Sequence, residues 1–125
     1  MTQVKCFTPK EATQTLPLVK QIVSDILAAA ERIRVLSAEL GKGAEKNPQV
    51  LEGMRQLEDF FTELETLGCY YKDWNFSMGL VDFPSRIDGQ EVFLCWRSDE
   101  KELKFYHEIE SGFSGRKEIP PVLLK

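Results

Sequence analysis

Residues 79–116 read GLVDFPSRIDGQEVFLCWRSDEKELKFYHEIESGFSGR. Two runs of alternating character, Leu80 to Arg86 and Gln90 to Arg97, flank Asp88-Gly89, a dipeptide suited to the positive φ angles of a two-residue hairpin turn. With that turn Ile87 pairs with Gln90, Phe83 with Leu94 and Asp82 with Cys95. A turn at 98–101 then leads into a third antiparallel strand, Glu102 to Glu108. Alternation sorts the side chains onto two faces. One carries Val81, Phe83, Val92, Leu94, Trp96, Leu103, Phe105 and His107, and is expected to pack on helices. The other carries Leu80, Asp82, Pro84, Phe93, Cys95, Arg97, Lys104, Tyr106 and Glu108, a mixture suited to solvent or a partner. A one-residue change in the 98–101 turn exchanges Lys104 and Tyr106 with Phe105 and His107.

Upstream of this sheet the pattern is helical. Thr8-Pro9-Lys10-Glu11 is a helix start, with Thr8 as N-cap, Pro9 at the first helical position and Glu11 completing a capping box. Pro17 cannot donate to a continuing ladder, so the first helix is expected to stop at Leu16 and a second to open at Pro17. From there to Leu40 the residues Val19, Ile22, Ile26, Ala29, Ile33, Leu36 and Leu40 step by three and four, the seam of a coiled coil. Val23, Leu27 and Ala30 widen that stripe. Residues 41–47, with two glycines, form a loop. Asn47-Pro48 then caps a helix running to Leu67 with Val50, Met54, Leu57, Phe61 and Leu64 on its seam. Gly68 is placed for a left-handed C-cap. The short connection makes the two long helices an antiparallel hairpin.

The remaining pieces are shorter. Val4 to Phe7 reads as an edge strand, Cys69 to Asp73 as a strand and Trp74 to Met78 as a loop. Ser111-Gly112-Phe113-Ser114-Gly115-Arg116 is a glycine-rich loop, and the apolar tail Ile119 to Leu124 suits a sheet edge or a second subunit. The expectation is a single α+β domain, residues 1–125, in which a helical hairpin (8–67) packs on a small antiparallel sheet of three to five strands (69–125).

Composition removes several function classes. A net charge of −4 and a pI near 5.1 argue against an electrostatic grip on nucleic acid or anionic lipid. No apolar run approaches the roughly 18–20 residues that span a bilayer, and MTQVKCFTPKEA contains no signal-peptide core. Cys6, Cys69 and Cys95 show no C-x-x-C spacing and read as buried thiols of a reducing, cytoplasmic compartment. A zinc site built from all three with His107 would lack the close ligand pairs of structural zinc sites. Neither a metal nor another cofactor is expected.

The motifs F-T-P-K-E-A, L-P, G-L-V-D-F-P, L-C-W-R, Y-H-E and G-F-S-G-R resemble a prokaryotic family catalogued as domain of unknown function 2203. The resemblance runs from about Phe7 to Ile119. It implies a small, stand-alone bacterial or archaeal cytoplasmic protein, and it carries over no activity and no site residue.

Candidate site residues therefore come from chemistry alone. His107 is the only histidine, and base chemistry near neutral pH falls to it by default. Asp82 sits mid-strand, where aspartate is disfavoured, and needs compensation from Lys104 across Cys95, from Arg97 on the diagonal, from Arg116, or from a ligand. Residues 112–116 can cradle an anion with backbone N–H groups while Arg116 makes a forked contact, although the phosphate-loop pattern is missing. The acidic stretch Glu58, Asp59, Glu63 and Glu65 reads as a solvated face. No nucleophile elbow, metal-helix motif or dinucleotide fingerprint is present.

Two functions compete on this basis. The wide helix stripes, the aromatics on the second sheet face and the missing catalytic set favour an interaction or assembly module acting as a homodimer. The rival is a small-molecule or anion site, enzymatic or not, formed by Asp82, Arg97, His107 and Arg116 with Trp96 or Tyr106 as an apolar wall.

Overall fold

The computed structural model describes residues 5–73 and 75–125. Val4 of the expected edge strand and Trp74 of the expected loop lie outside the described residues. Helix α1 spans Pro9–Leu40 and helix α2 Pro48–Leu67. They are followed by strands β1 (Tyr70–Tyr71), β2 (Leu80–Ile87), β3 (Gln90–Arg97), β4 (Phe105–Glu108) and β5 (Lys117–Glu118). The five strands form one antiparallel sheet in chain order, with the helices packed on one face. This is an α+β fold. Among the described residues no helix is long and apolar enough to cross a membrane.

Local signals act as the sequence suggests at most element ends. Thr8 and Glu11 exchange the two capping-box hydrogen bonds. Asn47 caps α2 through its side chain, and Gly68 closes it at φ 97°. The 87–90 turn has Asp88 at φ 52° and Gly89 at φ 80°, and β2 pairs with β3 in the expected register, Asp82 opposite Cys95. Phe7 does not extend a strand. It makes one parallel bridge with Ser85, whose hydroxyl donates back to the Phe7 carbonyl.

Pro17 is a correction. The helix does not stop at Leu16 but continues through the proline as one element of 32 residues, about 48 Å long at 1.5 Å per residue. Pro17 and Thr13, whose carbonyl loses its N–H partner, are both exposed, so the orphaned oxygen lies on the solvent side of the helix. On the opposite side Ala12, Leu16, Val19, Ile22, Val23 and Ile26 form an unbroken buried row against the sheet. That burial outweighs the local cost of the proline.

The β3–β4 connection brings the second correction. β4 starts at Phe105 rather than Glu102, and its register is Cys95 opposite Phe105, Leu94 opposite Tyr106 and Phe93 opposite His107. Trp96 Nε1–H donates to the Glu100 carbonyl at 2.9 Å, the Arg97 N–H donates to the Glu100 carboxylate at 2.7 Å, and Leu103 is buried in the core. These contacts use one residue more than a 98–101 turn, and every β4 side chain changes face. Tyr106 now packs against the core, while Phe105 and His107 join Asp82 and Cys95 on the second face.

The helical hairpin is only partly covered. After Ala30 no residue of α1 is buried, and between Val50 and Leu64 none of α2 is. Replacing Pro17 by alanine restores a helix donor and is expected to raise unfolding free energy in urea by about 1–2 kcal/mol. Unchanged or reduced stability would show that the proline is not a net cost to α1.

Candidate functional site

Three adjacent strands place polar side chains on the second face of the sheet. Asp82 comes from β2, Cys95 from β3 and His107 from β4, and all three are buried. Both carboxylate oxygens of Asp82 lie 3.2 Å from His107 Nε2. On the other side of the ring, Nδ1–H donates to the Glu108 carbonyl at 2.8 Å. A carbonyl only accepts, so the Nδ1 hydrogen is assigned by its partner. Nε2 and a carboxylate oxygen both carry lone pairs and need a proton or another cation between them. With both nitrogens engaged, His107 has none left to act as general base on a substrate, and the default catalytic role does not fit the geometry.

Burial pushes the Asp82 carboxyl above its ordinary range, opposed by the charge and hydrogen bond of His107 and by the Lys72 ammonium. Burial likewise pushes the Cys95 thiol up to about 12, with the neighbouring Asp82 charge adding to the effect. The donor atoms of Asp82, Cys95 and His107 all lie within 4.8 Å of one another, and among the described residues they are the one such group able to hold a metal ion. Cys6 is exposed and Cys69 is buried outside this group, so the three thiols do not converge.

Above the pair lies a cavity of about 300 Å³, walled by Lys72, Leu80, Phe93, Ile109 and Phe113. A second cavity of about 520 Å³ shares Lys72, Phe93 and Ile109 with it and adds Lys5, Tyr70 and Arg86. The Lys72 ammonium stands 5.8 Å from the centre of the Phe93 ring. The Phe93 ring is 5.7 Å from the imidazole of His107.

The other expected site residues sit elsewhere. Arg116 is a strap: Nη2 donates to both oxygens of Glu100 at 2.7 and 2.9 Å and to the Cys95 carbonyl at 3.0 Å. Its guanidinium lies over Phe105 at 4.2 Å and Phe113 at 4.7 Å. Arg97 forks onto Asp99 at the surface. Trp96 and Tyr106 face the helices and wall no part of the cavity. Lys104 is exposed beside Glu102, so neither it nor Arg97 nor Arg116 compensates Asp82. Sequence reasoning weighed Cys95 only within a three-cysteine zinc site that it set aside, and it missed Lys72, Phe93, Ile109 and Phe113. The pairing of Asp82 with Cys95 in the first hairpin already pointed to the thiol.

Asp82→Asn supplies an amide N–H donor to Nε2 in place of the ionisable carboxyl, so a destabilisation below about 1 kcal/mol is expected by chemical denaturation. Asp82→Ala leaves the imidazole without its partner and is expected to cost about 3 kcal/mol. Equal losses for the two substitutions would show that the pair is not held by this hydrogen bond.

A family model described as an uncharacterised conserved protein, domain of unknown function 2203, matches residues 5–119. No curated protein and no solved structure matches the chain. The match takes in both helices and all five strands, and the chain belongs to the domain of unknown function 2203 family.

Proposed function

We propose that the protein binds a small anionic molecule with an apolar body in the cavity over Asp82 and His107. The observation that carries this reading is the juxtaposition of a buried polar pair, a rim ammonium and aromatic walls in one cleft. Protein interiors of this size seldom bury a carboxylate without a use or a partner, and a mostly apolar cleft with a few convergent polar groups is the ordinary form of a ligand site. The charges suggest the sign of the ligand. Lys5 and Lys72 line the two neighbouring cavities, whereas Arg86 is matched by Glu91 at 3.4 Å. This rim is locally basic on a chain of net charge −4. The saturated histidine supports holding a ligand rather than acid–base turnover.

A panel of small organic carboxylates and phosphate monoesters, titrated into ¹⁵N-labelled protein, tests this. Resonances of Lys72, Leu80, Phe93, Ile109 and Phe113 are expected to shift together with at least one member, and Lys72→Glu is expected to abolish the shift. A panel that perturbs none of these residues at millimolar concentration would overturn the reading.

A second reading, assembly as a homodimer through the hairpin, is favoured by a separate observation. Val35, Leu51 and Met54 on the uncovered half of the hairpin are 46%, 51% and 50% exposed. A second hairpin laid against them would complete a four-helix arrangement. Sedimentation velocity at micromolar concentration is expected to show a dimer, and Leu51→Glu combined with Met54→Glu a monomer. A monomeric wild-type protein would remove this reading.

A further inference from the structure

We infer that Asp82, Cys95 and His107 form a three-ligand site for a divalent transition-metal ion of the zinc type, with a fourth position open to the cavity. The inference deepens the ligand-binding reading and rests on it, because the open position matters only if the cavity admits a ligand. It starts from the spacing of the donors. The two Asp82 oxygens stand symmetrically at 3.2 Å from Nε2. A charge-assisted hydrogen bond would instead be expected to draw one oxygen to about 2.7–2.9 Å. Ligand atoms around a tetrahedral ion with bonds of about 2.0–2.3 Å lie about 3.3–3.8 Å apart. The three donors, all within 4.8 Å, need only small side-chain adjustments to reach that spacing.

The surroundings supply what such a site requires. The Glu108 carbonyl accepts from Nδ1–H at 2.8 Å, which fixes the tautomer that leaves the Nε2 lone pair for a metal and holds the ring in place. Thiolate, imidazole and carboxylate together suit zinc or cobalt better than calcium or magnesium. The charges close as well. A divalent ion replaces the thiol proton of Cys95 and the proton shared by Asp82 and His107, releasing two protons and leaving one ion of charge +2 against two anions and a neutral imidazole. All three ligands project from paired strands, so the site is rigid. Three protein ligands with an accessible fourth position is the arrangement of zinc sites that bind exogenous groups. The cavity of about 300 Å³ above the cluster, with Lys72 on its rim, would bring an anionic group to that position.

Cobalt is the probe. Protein dialysed against chelator and titrated with Co²⁺ is expected to develop a sulfur-to-cobalt charge-transfer band and tetrahedral d–d bands at one equivalent, both bleached by Zn²⁺. Cys6→Ser should leave the spectrum unchanged. Cys95→Ser should lose the charge-transfer band, and His107→Gln should weaken binding by at least about 100-fold, beyond the usual loss for an outer-sphere partner. No charge-transfer band in the wild-type protein, or a band that vanishes in Cys6→Ser, overturns the inference whether or not the buried variants fold. The metal-free anion titration is read separately. Shifts at Lys72 and Phe93 without a cobalt band would leave the ligand site standing and remove the metal. A cobalt band whose d–d envelope fails to move with any anion of the panel would remove the open fourth position.

Discussion

Asp82 is 5% exposed in a protein of 125 residues, and the sheet is arranged to make that tolerable. Taking a carboxylate out of water costs several kcal/mol even after relaxation, a large share of the 5–15 kcal/mol that typically holds a domain together. The compensation arrives from two strands away. β2 and β4 are separated by β3, about 9.6 Å at two strand spacings, and His107, opposite Phe93, reaches Asp82, opposite Cys95, on the diagonal at 3.2 Å. A small side chain at position 95 is therefore a condition of the pair. A leucine or phenylalanine there would fill the space in which the carboxylate and imidazole meet.

The pair also depends on a cover. Residues 109–116 fold back across the second face, where Ile109, Gly112 and Phe113 wall the cavity. Their anchor is Arg116, whose ion pair with Glu100 is only 12% and 16% exposed and whose guanidinium lies over the rings of Phe105 and Phe113. A partly buried arginine lying over aromatic rings is worth more than a surface ion pair of the same length. It ties the loop to the β3–β4 connection that sets the register of β4. The same segment that turns His107 toward Asp82 thus also holds the wall above it, and the low-dielectric setting of the pair follows from both.

The fold was legible because its signals are local. Asp88-Gly89 sets the first hairpin, Asn47-Pro48 and Gly68 bound α2, and the capping box starts α1, each through contacts within a few residues. Pro17 misled because its cost is local while the burial that overrides it, from Ala12 to Ile26 against the sheet, is not. Of the site, Asp82 and His107 stood together as candidates by residue type, but the expected register put them on opposite faces, since the face of His107 turns on a single residue in the β3–β4 connection. The contacts that decide this, Trp96 to the Glu100 carbonyl and Leu103 into the core, are tertiary. Lys72 and Phe93 escaped because nothing in a lysine after two tyrosines, or a phenylalanine in an apolar run, separates a cavity wall from ordinary surface or core.

The two readings of function occupy different parts of the molecule, and α1 shows where they part. Its first half, to Ala30, is buried against the sheet and supports the face opposite the cavity. Its second half contains no buried residue, and at this end the buried side chains are Ala44 of the connecting turn and Val50 of α2. Changes at exposed residues such as Val35, Leu51 and Met54 thus alter the hairpin surface away from β2, β3 and β4, while changes at Asp82, Cys95 or His107 lie on the far face of the sheet. Distant, unshared contacts give additive effects. If assembly and ligand binding prove to depend on each other, the link runs along the two helices, through α1 at Ala29 and Ala30 or through α2 from Leu57 to Leu64, where buried and exposed halves join.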